Sequence, residues 1–181
     1  MKARVLFATG YEEVEALTVV DLLRRAGVEC LMVSADDQDT VTGARGMEVT
    51  MDEKLSEIDD QCDLVVLPGG IPGVPTLKTN SKVQAMVKAQ NDRGGYVAAI
   101  CAGPTALGAF GVLADKNATC YPGCEDQLMA KRHSTEPVVV DGNVITSRGV
   151  GTAIEFALKL VEILIDRQTA DDLAEKIVYK R

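Results

Sequence analysis

The sequence predicts an α/β fold built on a parallel sheet, and three observations lead there. Within the first 34 residues the pattern reads strand, helix, strand, a βαβ unit whose crossover makes its strands parallel. Short apolar runs recur and stop at small-residue turns, namely Thr9-Gly10, Pro68-Gly69-Gly70 and Cys101-Ala102-Gly103. No internal repeat, low-complexity tract or linker interrupts the chain, so residues 1–181 are expected to form one domain.

The elements follow in order. Residues 3–8 are apolar and bounded by Thr9-Gly10, a buried strand. Residues 11–26 place Val14, Leu17, Val20, Leu22 and Leu23 at helical spacing. Glu12, Glu13 and Glu15 suit the first turn of that helix, and Gly27 stops it. Residues 28–34 read as a second strand. Between 40 and 51, two short strands flank Ala44-Arg45-Gly46, and a short helix is expected near 54–58. Residues 63–67 form a central strand ending at Pro68-Gly69-Gly70. Asn80 or Ser81 caps a helix that runs to about Arg93, with Gly94-Gly95 after it. Residues 96–100 are a further strand, and Pro104 suits the first turn of a helix reaching Phe110. Residues 138–140 and 144–146 flank Asp141-Gly142-Asn143, a hairpin signal. Ser147-Arg148-Gly149-Val150-Gly151 leads into an apolar helix over 152–165, and Thr169 with Asp172 suggests a capping box for a last helix.

Composition excludes several functions. Nineteen basic against 27 acidic side chains, net −8, argue against a nucleic-acid partner. No apolar run approaches about 18 residues, so no membrane-spanning helix is expected. The chain passes from Met1-Lys2-Ala3-Arg4 directly into a strand, which predicts no signal peptide and a cytoplasmic protein. With His133 the lone histidine, a two-histidine zinc site is impossible, and no metal is expected; His133 itself reads as a surface loop residue. Gly149-Val150-Gly151-Thr152-Ala153-Ile154 has part of a dinucleotide fingerprint but lacks its third glycine and lies far from the first βα turn. There is no GxxxxGK[ST], so no cofactor is expected. Five cysteines without a leader should be reduced, and Cys120 and Cys124 do not form a CxxC.

Open parallel sheets bind ligands beyond the carboxyl ends of their strands. Three segments fall there: residues 10–15, Pro68-Gly69-Gly70, and Cys101. Cys101 lies on a strand-to-helix turn with small neighbours, the context of a nucleophile elbow, where a helix N-terminus stabilises a thiolate. The plainer reading is a small buried hydrophobe. Glu12 and Glu13 read as solvated first-turn residues. Glu15, if it faces Cys101, would be desolvated, its pKa raised, and fit to move protons.

Ala98-Ala99-Ile100-Cys101-Ala102-Gly103-Pro104-Thr105, with Leu67-Pro68-Gly69-Gly70, Glu12-Glu13-Val14-Glu15 and Ser147-Arg148-Gly149-Val150-Gly151-Thr152, resembles the ThiJ/PfpI superfamily. Within it the match is to the branch of the Parkinson-associated deglycase and glutathione-independent glyoxalases. The resemblance implies a flavodoxin-like three-layer sandwich with helices on both faces of the sheet, assembled as a homodimer. It puts the reactive cysteine at Cys101, its glutamate partner at Glu15, and oxyanion-binding amides at Gly70 and Ala102. Arg25 and Arg45 resemble arginines near the dimer interface. Tyr121 stands where the deglycase branch commonly has histidine, and Ala102 where related peptidases have histidine after the cysteine. The implied reaction converts methylglyoxal or glyoxal, or their early adducts on proteins, to hydroxy acids, with neither cofactor nor metal. The rival reading is a redox sensor or chaperone acting in oxidative stress through oxidation of Cys101, with Cys120 or Cys124 either resolving a sulfenic acid or idle.

Overall fold

The computed structural model describes residues 1–59 and 61–180. In chain order the first half contains β1 (Lys2–Phe7), α1 (Glu13–Arg25), β2 (Glu29–Ser34), β3 (Thr40–Thr42), β4 (Glu48–Thr50), β5 (Glu53–Lys54), β6 (Leu64–Leu67), α2 (Gly73–Thr79) and α3 (Ser81–Asp92). The second half contains β7 (Tyr96–Ile100), α4 (Pro104–Ala109), β8 (Asn117–Ala118), β9 (Arg132–His133), β10 (Val138–Asp141), β11 (Val144–Ser147), α5 (Ala153–Leu164) and α6 (Arg167–Lys176).

A seven-stranded sheet in the order β10-β11-β7-β6-β1-β2-β5 forms the middle layer, parallel except for the β10–β11 hairpin. Its central strands β1, β6, β7 and β11 are buried on both sides, and the period of two in side-chain direction divides their residues between two cores. Ala3, Val5 and Phe7 of β1, with Val66 and Ala98, pack against α1, α5 and α6 through Val19, Leu23, Phe156 and Ala170. Leu6, Val65, Leu67 and Val97 face the other way, against Leu77, Val83, Val87 and Leu107 of α2, α3 and α4. This is the three-layer sandwich that the resemblance implies. Among the described residues no helix is long and apolar enough to cross a membrane.

Several expectations are corrected. No helix forms near 54–58: Glu53–Lys54 pairs in parallel with β2, and a turn follows. Helix α1 begins at Glu13 rather than Tyr11, because the Glu12 side chain accepts the Glu15 N–H and caps it. The last helix is capped by Asp166, whose carboxylate accepts the Thr169 N–H (2.7 Å), so Thr169 lies inside the first turn and no Thr169–Asp172 box caps it. Glu13 is not solvated; it is 2% exposed, and its Oε1 accepts the Arg45 N–H (2.6 Å). His133 is half-buried in β9, which pairs with β8, and not a loop residue. Helix α2 has no counterpart in the sequence reading. The β3–β4 pair, the Asn80 cap and the β10–β11 hairpin form where the sequence puts them.

Candidate active site

The parallel strands β1, β6, β7 and β11 end on one edge of the sheet, and the segments after them meet there. Residues 8–12 follow β1 and lead into α1. Glu12 donates its N–H to Gly69 O (2.9 Å), while Gly69 donates its own N–H to Glu15 Oε2 (3.0 Å). The β1 and β6 loops are thus tied by two hydrogen bonds through one glycine. A methyl on Gly69 would lie 2.5 Å from both Cys101 Cβ and Glu15 Oε2, and 2.9 Å from Cys101 Sγ. Only a residue without a side chain lets the carboxylate and the thiol approach this closely.

Cys101 follows β7 directly and adopts φ = 66°, a left-handed backbone that an L-residue enters at a cost of about 1–2 kcal/mol. Two bonds fix it there: its N–H donates to Ser147 O (3.1 Å), and its carbonyl accepts the Tyr121 N–H (2.8 Å). The turn aims the thiol at Glu15, with which it shares a hydrogen bond, and the Ala102 N–H donates to the sulfur. Gly70 is left-handed at φ = 98°, and among the described residues no protein acceptor takes its N–H.

Glu15 is fully buried, and its Oε1 has no hydrogen-bond partner. Burial raises its pKa to about 7; the Cys101 and Gly69 hydrogen bonds pull the other way, and the Glu12 carboxylate adds to the rise. The Cys101 thiol is also pushed up, by burial first and then by the neighbouring Glu15 carboxylate. This corrects the expectation of a thiolate held by a helix N-terminus. Helix α4 starts only at Pro104, and the groups touching the sulfur are a carboxyl and one amide. The pair behaves as one unit: a proton leaving the sulfur has a carboxylate within reach, and Glu15 is basic enough to hold it near neutral pH.

Tyr121 is half-exposed, and both its ring and Glu15 Oε1 lie against Gly149. A methyl on Gly149 would sit 3.3 Å from the Tyr121 ring and 3.7 Å from that oxygen. The sequence places Gly149 in the Ser147–Thr152 motif and in a rejected dinucleotide fingerprint without giving it a site role; its position just past the carboxyl end of β11 is the signal for one. Cys120 is fully buried with its thiol pushed up to about 11, and Cys124 is half-buried. Arg25 pairs with Asp21 in α1 (2.7 Å), and Arg45 is exposed on the turn between β3 and β4, so both make their contacts elsewhere. Among the described residues no group of three or more His, Cys, Asp or Glu could hold a metal ion.

Known proteins share this architecture. The chain is 39% identical over 184 residues to the Parkinson disease protein 7 homolog of Danio rerio, covering 99% of this chain and 97% of that one. It is 34% identical over 169 residues to a Caenorhabditis elegans protein named glutathione-independent glyoxalase DJR-1.2, covering 92% and 89%. Two Arabidopsis thaliana homologs, DJ-1 homolog B and homolog A, are about twice as long, and the chain spans 42% and 45% of them. The solved structure of oxidized Toxoplasma gondii DJ-1 superposes with a TM-score of 0.96 at 36% identity, covering 99% of both chains. The profile of the DJ-1/PfpI family matches residues 1–163, and with relatives this similar along nearly the whole chain, the protein belongs to the DJ-1/PfpI family.

Proposed function

We propose that this protein is a cysteine-dependent, glutathione-independent glyoxalase that converts methylglyoxal or glyoxal to the hydroxy acid. The observation that carries the reading is Glu15, wholly buried, raised to about 7 and hydrogen-bonded to the Cys101 thiol. A glutamate buried in this way is costly to the fold, and an acid/base tuned to neutral pH is what the reaction needs.

Cys101 sulfur adds to the aldehyde carbon while its proton passes to the Glu15 carboxylate, forming a hemithioacetal. The N–H groups of Gly70 and Ala102 stabilise the oxyanion until it takes from Glu15 the proton that left the sulfur, which restores the carboxylate. Glu15 then removes the proton from the former aldehyde carbon, giving an enediol, and returns a proton to the neighbouring carbon. The product of that transfer is a thioester of the hydroxy acid, which water hydrolyses, freeing lactate or glycolate and the thiol. Overall, one dicarbonyl and one water give one hydroxy acid, with no net oxidation. Acting on early adducts on proteins, the same steps would register as deglycation. The name of the nematode relative supports the reading. A homodimer accompanies it: Val14 on α1, Val150 in the turn before α5 and Ile154 in the first turn of α5 are exposed apolar residues on adjacent elements, suited to a second copy.

The rival redox-sensor reading uses the same Cys101 thiol, oxidised rather than added to an aldehyde. The test is methylglyoxal consumption without glutathione, with lactate quantified. Many turnovers with stoichiometric lactate, abolished in Cys101→Ala and reduced by roughly 10²–10⁴ in Glu15→Gln, would support the glyoxalase. Consumption that halts at one equivalent without lactate would sink it and favour the sensor.

A further inference from the structure

Glu12, Gly69 and Glu15 close a ring of hydrogen bonds in which each residue donates to the next. Glu12 N–H donates to Gly69 O (2.9 Å), Gly69 N–H to Glu15 Oε2 (3.0 Å), and Glu15 N–H to Glu12 Oε2 (2.9 Å). Glu12 enters this ring with both its backbone and its side chain. It also bounds the loop that carries the oxyanion amide: a methyl on Gly70 would lie 2.4 Å from Glu12 N. The half-buried Glu12 therefore touches the acid/base and the loop after β6 together.

Capping α1 does not by itself call for a charge, since Ser, Thr and Asn accept the same kind of N–H at this position. A carboxylate adds a negative charge close to Glu15. The groups that face Glu15 are the Cys101 thiol on the turn after β7, the uncharged Gly69 N–H after β6, Gly149 after β11, against which the Tyr121 ring also lies, and Glu12 on its own element. Of these, Glu12 is the neighbour whose charge opposes ionisation of the Glu15 carboxyl. Resting on the glyoxalase reading for what the pair does, we propose that Glu12 is its positioning residue. Through the ring it locks the Glu15 carboxylate beside Cys101, and with its own charge it strengthens Glu15 as the acceptor of the thiol proton.

The test follows the Glu15 carboxyl itself, by carbon-13 NMR titration of protein labelled at its glutamate carboxyls, with the signal assigned by its loss in Glu15→Gln. The pH profile of kcat/KM for methylglyoxal is measured alongside. Glu12→Gln keeps an oxygen acceptor and loses the charge. Its Glu15 midpoint and the acid limb of its profile should both move to lower pH by on the order of half a unit, the size expected for like charges one helical turn apart in a largely watery dielectric. Glu12→Asp keeps the charge and should leave both in place. Glu12→Ala also opens the ring, so its kcat should fall by a further roughly tenfold or more. A residue that merely caps α1 would lower the thermal midpoint in Glu12→Ala and leave the Glu15 midpoint where it was. An unmoved Glu15 midpoint in folded Glu12→Gln overturns the proposal, as does an equal movement in Glu12→Asp. Equal kcat in Glu12→Ala and Glu12→Gln overturns the positioning through the ring. Should Glu12→Gln fail to fold, Glu12→Asn, neutral and a strong cap, decides in its place. If the wild type turns over no dicarbonyl, the glyoxalase reading falls, and the NMR midpoints still judge Glu12.

Discussion

At Cys101 the backbone and the chemistry make opposing demands. A left-handed φ of 66° suits glycine, yet the site needs a thiol there. Replacing Cys101 by glycine should therefore give a more stable protein than replacing it by alanine, although both lose the sulfur. The expected difference is roughly 0.5–1 kcal/mol, the relief of left-handed strain less the extra chain entropy of glycine, measured by urea unfolding. Equal stabilities would mean that the turn relaxes once the thiol is gone. Gly69 is the reverse case, a glycine retained because its neighbours leave no room for a methyl. Gly69→Ala should push Cys101 and Glu15 apart, since a Cβ at 2.5 Å from each cannot be accommodated without movement. Turnover should fall by roughly 10² or more while the protein still folds, checked by comparing kcat with the thermal midpoint.

Among the elements, α1 shows how a helix N-terminus can hold two carboxylates for different purposes. Glu15 points to the thiol, and Glu13 accepts the Arg45 N–H and so ties α1 to the turn between β3 and β4. Gly43 packs against the Glu13 carboxyl too closely for any side chain of its own. Glu13→Ala should leave the Arg45 N–H without its buried acceptor and cost about 1–3 kcal/mol, whereas Glu13→Gln, which keeps an acceptor, should cost less; denaturant melts of the two variants separate these cases. Little of this was legible beforehand, because nothing in Glu12-Glu13-Val14-Glu15 says which carboxylate turns inward. The longer elements could be read since period and punctuation agree in them, as in β1, α3 between Asn80 and Gly94, and the β10–β11 hairpin. Those that escaped are short or set by tertiary contacts. Helix α2 has seven residues and contains Pro75, and β5, β8 and β9 have two each, too few for any periodicity. The family resemblance singles out Cys101, Glu15 and Gly70, and their places after β7, in the first turn of α1 and after β6 put all three on one edge of the sheet. Their mutual distances depend on Gly69 and Gly149, whose role emerges only when four strand ends come together.

For the whole molecule, burying Glu15 makes folding stability depend on pH, and the sign can be worked out. Its folded pKa is about 7 against an ordinary value of 4.5. Between those two values the folded chain holds a proton that the unfolded chain has released, so stability falls as pH rises through this window. Below about 4.5 the acid is neutral in both states and the penalty is absent; above about 7 it is complete. The span corresponds to ~3 kcal/mol at most, and Glu15→Gln should recover it, since the amide oxygen can still accept the Gly69 N–H. The stability gained by the variant over the wild type should thus be near zero at pH 4 and largest at pH 8, followed by guanidinium melts across that range. Other carboxylates titrate equally in both proteins and cancel in the difference. A difference that stays flat with pH would mean that Glu15 titrates alike in the folded and unfolded chain, and the shuttle would lose an acid tuned to neutral pH.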